Sequence, residues 1–408
     1  MTPITSLPRF FDLIVFCFCA FCSVQAYSPS STVGSSWTFT MPEPFPWEIG
    51  VHDAHCHPTD TMASVSDIPH MKTTTLTIMA TRGDDQDLVQ QTAELCSVQS
   101  DTDHIDRIVP CFGWHPWFSH QISNSASSDA QNKKEHYDAV LTPSPADDQP
   151  FIDILPDPKP LSELISEIRA RLQKFPTALV GEIGLDRSFR IPGPWTAEEI
   201  ENRNGEVTPG SREGRRLSQY RVKPEHQRMV LKAQLQLAGE MNRAVSVHSV
   251  QAHGAVVDVL KEVWAGHERV SLSRRKRDKQ RDAEGAEFEE EEVIVAKPKL
   301  FPPRLCMHSY SGSVDPVRQL IHKSNPSDVY FSFSSLINFN GAPAKKISDV
   351  VKSLPENRIL IESDLHKAGD ELDNLMEDVA RRICELRGWE LRHGVQLLAD
   401  NWRRFVHG

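Results

Sequence analysis

Eight short apolar runs, each ending in polar or chemically active residues, constrain this chain more than any other feature. They lie at 49–56, 75–81, 108–114, 178–185, 244–249, 304–309, 329–335 and 358–363. Rich in Val, Ile, Leu and Phe and too short for helices, they read as strands. Helical periodicity falls between them, at 85–99, at 161–174 and at 225–242, where Val230, Leu237 and Met241 recur. A final stripe follows at Leu391, Val395, Leu398, Trp402 and Phe405. Eight alternating β–α units predict an α/β fold, a (β/α)8 TIM-type barrel. A doubly wound sheet is the competitor, but it does not account for where the reactive side chains fall.

Those side chains sit at the ends of the runs. The first run closes on His55-Cys56-His57. Residues i and i+2 of an extended chain point the same way, so both imidazoles face one side, and Asp53 shares their parity. The third run ends in Gly113-Trp114-His115-Pro116, and the fourth carries Glu182 as its inward carboxylate and ends at Asp186. His248 ends the fifth, His308 the sixth, and Glu362-Ser363-Asp364 the eighth. In a barrel all these positions converge on one axis. Four histidines, one glutamate and one aspartate among them give mixed nitrogen and oxygen donors, which suit a divalent cation such as zinc, manganese or magnesium. Six donors exceed what one catalytic ion with an open position needs; two divalent metal ions sharing a carboxylate account for the surplus.

The strings DAHCHP (53–58), GWHP (113–116), GEIGLD (181–186), VHS (247–249), MHSYSG (307–312), ESD (362–364) and NWRRF (401–405) resemble, in order, the TatD family of metal-dependent hydrolases. The resemblance spans about 49–405 apart from insertions. It implies that His55, His57, Glu182 and Asp364 hold a first ion and that Glu182, His248 and His308 hold a second, with Glu182 bridging. It implies that Asp364 also orients or deprotonates the attacking water and that His115 contacts a substrate phosphate or a water. The implied reaction is phosphodiester hydrolysis, as in a deoxyribonuclease, with DNA as substrate. The run Ser249-Val250-Gln251-Ala252-His253 is similar to a fungal branch described as interacting with a subunit of the anaphase-promoting complex, which implies a protein partner. Two positions depart from the family. Val250 stands where many members have arginine, and Leu365-His366 follow Asp364 where many continue toward proline. Arginines of 187–223, Arg187 and Arg190 among them, are candidates to restore the positive charge.

Three function classes therefore stay open: a phosphodiesterase acting on DNA, a metal-dependent hydrolase of another substrate, and a barrel that serves as an interaction protein. The motifs GxxxxGK[ST], GxSxG and HExxH are absent, which removes P-loop, serine-hydrolase and zincin chemistry. The net charge of -11 argues against coating nucleic acid by bulk positive charge, though not against a nuclease whose site carries cations. Trp114 and Trp117 are placed to pack the barrel mouth or to stack on a base.

The domain reading is a leader and tail over 1–46 and the barrel over 47–408. Residues 9–26 hold an apolar run ending in Val24-x-Ala26, similar to a secretory signal, with Asp12 against that reading. Of eight cysteines, Cys17, Cys19 and Cys22 sit in that apolar stretch and the other five are scattered singly, which does not look like a disulfide framework and favours a reducing compartment. Cytoplasm or nucleus is the expected location, with secretion the alternative, and no stable membrane insertion is expected of the mature domain. Stretches at 119–160, 187–223 (seven arginines) and 266–303 (basic, then acidic) read as poorly ordered insertions. The first two follow strands and so belong to the face where barrel enzymes keep their sites.

Overall fold

All eight expected strands form, and they pair in chain order. The computed structural model describes residues 43–97, 106–124, 132–210, 213–269, 300–341 and 344–408. The strands are β1 His52–Cys56, β2 Thr75–Met79, β3 Ile108–Phe112, β4 Leu179–Asp186, β5 Val245–Val250, β6 Arg304–Met307, β7 Asp328–Phe333 and β8 Ile359–Ile361. Each is parallel to the next. Just past β8 the chain returns to β1: Asp364 N donates to His55 O at 3.0 Å, and His57 N donates to Leu365 O at 2.8 Å. These bonds bring the sheet round to a nearly closed barrel. The described residues from Phe45 onward form one compact unit.

Alternation along the strands explains both layers of the core. In β3, Val109 and Cys111 fall in one buried cluster with Met79 and Leu360, while Ile108 and Phe112 join the larger cluster under the helices. Those helices are α1 Gly83–Ser97, α2 Leu161–Lys174, α3 Pro224–Glu240, α4 His253–Trp264, α5 Val314–Leu320, α6 Ala344–Ser353, α7 Asp370–Arg387 and α8 Leu391–Val406. The α8 stripe stops the barrel at the N-terminal ends of its strands. Trp402 Nε1 donates to Thr77 Oγ1 at 3.2 Å, and Arg304, the first residue of β6, donates to Phe405 O at 2.7 Å. Cys56, Cys96, Cys111, Cys306 and Cys384 are free and buried. No described helix is long and apolar enough to cross a membrane.

The first two insertions correct the expectation of poor order. Their described residues include helices Lys133–Val140 and Gln149–Ile154, N-capped by Asn132 and Asp148. Leu141–Thr142 pairs antiparallel with Arg221–Val222, joining one insertion to the other. Tyr137, Val140, Leu141, Phe151, Ile152, Leu155, Ile191, Tyr220 and Val222 bury one another in a small separate core. Neither insertion has enough apolar residues to fold by itself; the two pool them. The second is also fastened to the segments after β1 and β2. Thr208 N donates to Asp60 O (2.8 Å), Thr208 Oγ1 to Thr59 O (2.6 Å) and Arg82 Nη2 to Pro209 O (3.2 Å). The apolar leader 9–26 and most of the third insertion, 270–299, lie outside the described residues.

Candidate metal centre

Six strand-end side chains meet at the C-terminal mouth of the barrel, and Glu182 stands between them. Its Oε2 lies 3.4 Å from His55 Nε2 and 3.4 Å from His57 Nε2. Its Oε1 lies 2.6 Å from His248 Nδ1, 2.8 Å from His308 Nε2 and 3.2 Å from His115 Nε2. Asp364 closes the first set, with Oδ1 3.8 Å from His55 Nε2 and 3.6 Å from His57 Nε2. Three groupings have donor atoms close enough to share a cation: His55, His57 and Glu182; His55, His308 and Asp364; His115, Glu182 and His248. All of these residues are buried except Asp364, which is partly exposed.

The backbone is shaped to bring them together. A Cβ at Gly184 would overlap the His248 carbonyl, so only glycine lets β4 and β5 approach at the site. Ser309, next to His308, and Asp364, three residues past β8, hold positive φ of 37° and 53°. Such conformations need support from neighbours. Asp364 N has it from His55 O, and Ser309 N from Glu362 Oε1 at 2.7 Å.

Partners behind the imidazoles decide which nitrogen faces the centre. His248 Nε2 lies 3.2 Å from Asp186 Oδ2 and His55 Nδ1 lies 2.8 Å from Ser246 Oγ. Partners of this kind hold the outer ring nitrogen and fix how a histidine faces a metal. His55 Nε2 and His57 Nε2 then point at each other across 3.1 Å, and His248 Nδ1 and His308 Nε2 across 3.2 Å. Imidazole nitrogens and carboxylate oxygens this close to one another fit a divalent metal as a donor set. His115 differs. Its Nδ1 accepts from Trp117 N at 3.1 Å, so the neutral ring carries its proton on Nε2 and donates inward. That favours the expected substrate-side contact over metal ligation.

Charge in the site follows the same logic. Burial would raise Glu182, but the His115, His308, His55 and His248 charges around it hold it well below the ordinary carboxylate range. Burial would likewise raise Asp364; the hydrogen bond from His57 and the nearby histidines keep it low. Burial would lower His57 and His248, yet the carboxylates beside them lift them to about 9 and about 8. Two ionised carboxylates this close require positive charge beside them, which the surrounding imidazoles provide and which a divalent cation would also provide.

Asp53 corrects the parity argument. It turns away from the donors: Oδ1 accepts from His55 N and Ser363 N at 3.0 Å each, and Oδ2 accepts from Ser363 Oγ at 2.6 Å. It therefore ties β1 to the chain after β8. Ser246, Asp186 and Glu362 orient the ring of donors but cannot be assigned that task from sequence. Only closure of the barrel, which sets β5 across from β1, shows that Ser246 lies behind His55. Asp186 and Glu362 did fall within strand-end motifs, which was the available signal. Trp114 is buried and packs, with Nε1 donating to Phe118 O at 2.8 Å; Trp117 is half-buried beside His115. Arg187 and Arg190 are exposed just past Asp186.

The sequence matches the family described as TatD related DNase over residues 52–407. Cut9-interacting protein scn1 of Schizosaccharomyces pombe is 34% identical over 359 residues, 87% of this chain and 98% of that protein. An uncharacterized deoxyribonuclease of Saccharomyces cerevisiae is 28% identical over 62% of this chain and 64% of its own length. In fold, the chain resembles the crystal structure of an uncharacterized amidohydrolase from Saccharomyces cerevisiae, with TM-score 0.50 and 15% identity over 89% of this chain and 100% of that one. With its seven motifs in order, its eight-stranded barrel and a family match covering most of its length, the chain belongs to the TatD-related DNase family of hydrolases.

Proposed function

We propose that this protein hydrolyses phosphodiester bonds in DNA at a centre for two divalent cations. His55, His57, Glu182 and Asp364 form one seat and Glu182, His248 and His308 the other. The observation that carries the reading is Glu182 itself, whose two oxygens face separate sets of imidazoles. When bound, divalent cations supply Lewis acidity that makes a water acidic near neutral pH and screens phosphate charge.

The chain's own groups do the rest. Asp364 is partly exposed at the mouth and takes the proton of the attacking water. His115 Nε2–H donates to a non-bridging phosphate oxygen. The water oxygen bonds to phosphorus, the bond to the leaving alkoxide breaks, and a proton from Asp364 or solvent completes the alcohol.

The test is digestion of single-stranded and duplex DNA by purified protein with manganese, magnesium or zinc. Cleavage that chelator abolishes and metal restores is expected. Intact DNA with metal-loaded protein would overturn the nuclease reading and leave the metal centre standing. A second role has its own support, because a relative aligned along nearly all its length is named for an interaction with Cut9. A protein partner of this chain is expected to bind the His55→Ala/His57→Ala double variant as well as the parent in a pull-down. Loss of binding would tie the partner to the metal centre.

A further inference from the structure

We infer that Trp117 and Phe189 form a stacking wall for one unpaired nucleobase beside the metal centre; the inference rests on the nuclease reading above. The two rings stack on each other, centroids 4.5 Å apart and planes 9° from parallel. Both are half-buried, whereas the large aromatics of the barrel core, such as Phe112, Phe331 and Phe333, are fully buried. Trp117 follows β3. Phe189 comes from the second insertion, the part of the chain that the barrel itself does not require.

One carboxylate places the wall. Asp186 Oδ2 accepts from Trp117 Nε1 at 2.6 Å and lies 3.2 Å from His248 Nε2. Asp186 Oδ1 accepts from Ser188 N (2.7 Å), Ser188 Oγ (2.8 Å) and Phe189 N (3.0 Å), a turn that presents the Phe189 ring. The same side chain thus orients a metal-type imidazole and sets both aromatic rings relative to it. Trp117 lies 4.7 Å from the His115 ring and 6.1 Å from the His248 ring, centroid to centroid. A base stacked on the wall therefore has its own phosphate within reach of the donors. Arg187 and Arg190 flank Phe189 and are exposed, as contacts to the neighbouring phosphates require. Aromatic stacking accepts any base, because every base has a π-face. The wall stands beside Val250, which pairs with Asp186 and brings no charge of its own to a phosphate.

The experiment measures anisotropy of a labelled single-stranded hexanucleotide, and of the same backbone without bases, on manganese-loaded full-length protein carrying Asp364→Asn to prevent turnover. The expected result is about 10- to 100-fold tighter binding of the oligomer that has bases, the range for loss of one stacked base. Adding Phe189→Ala should remove most of that difference while leaving the baseless oligomer's affinity unchanged, and Phe189→Trp should restore it. Equal weakening of both oligomers, an unchanged difference, or no difference before the substitution would each overturn the wall. Metal content and melting temperature of the Phe189→Ala protein are measured alongside, so that a folding defect is recognised and Phe189→Leu substituted for it. The two readings separate cleanly. Base-dependent binding without DNA cleavage by the Asp364 parent sinks the hydrolysis reading alone; cleavage with base-independent binding sinks the wall alone.

Discussion

Asp186 shows how much of this centre depends on side chains that touch no substrate. Its carboxylate backs His248 at the outer nitrogen and fixes which way the ring faces. Asp186→Asn keeps the shape and removes the charge. The expected cost is about 10- to 100-fold in metal affinity or activity, with the melting temperature little changed; isothermal titration with manganese checks it, and unaltered affinity would refute the assignment. At the far end of β1, His52 is the converse case. It is buried against Trp402, rings stacked at 4.1 Å, and neither ring nitrogen has a hydrogen-bond partner among the described residues. Burial, with the Arg403 and His407 charges adding to it, holds its pKa at about 3. The folded ring is neutral while the unfolded ring titrates at its ordinary value of 6.5. Its contribution is therefore complete above 6.5 and is lost as pH falls from there toward 3. His52→Phe keeps the stack and removes the titration, so melting temperature should fall less between pH 7 and pH 5 than in the parent; equal losses would contradict this. The metal-type residues were legible in the sequence because each ends a strand. The residues behind them were not, since Ser246 meets His55 only across the interior of the closed barrel.

Strands and barrel helices were readable for a related reason. Each carries its own period, so β3 or α2 announces itself within a dozen residues. The insertions do not, because Tyr137, Phe151 and Tyr220 are isolated apolar residues in polar stretches and find one another only in space. Charge and proline content there pointed to loose chain, and cooperative burial overrode it. Phe151 is buried and packs on Tyr220 at 4.3 Å between ring centroids. Phe151→Ala should cost this small core about 3 kcal/mol or more. Because that core is separate from the barrel, hydrogen exchange should speed up in 132–155 and 213–223 while β2 to β7 stay protected. A uniform loss of protection would mean that insertions and barrel fold as one unit.

Across the whole molecule the barrel divides its tasks by end. α8 plugs the N-terminal ends of the strands with Trp402 and Phe405, and the C-terminal ends carry the donors. Stability and chemistry are therefore separable, and loss of a donor should leave the fold intact. The net charge of -11 fits the same arrangement: attraction for an anionic substrate is left to bound cations and to local arginines rather than to the whole surface. Fold class was visible in the eight alternating runs and the candidate donors in the strand-end motifs; the two-set split about Glu182 was implied there only by the family resemblance, and the distances from its two oxygens are what the folded barrel adds. That split is the central claim, and metal content tests it most directly. Elemental mass spectrometry of full-length protein reconstituted with manganese or zinc should find about two ions per chain, and Glu182→Ala should lose at least one of them with its circular dichroism unchanged. A parent protein that holds no metal, or a Glu182→Ala protein that holds as much as the parent, would contradict the account.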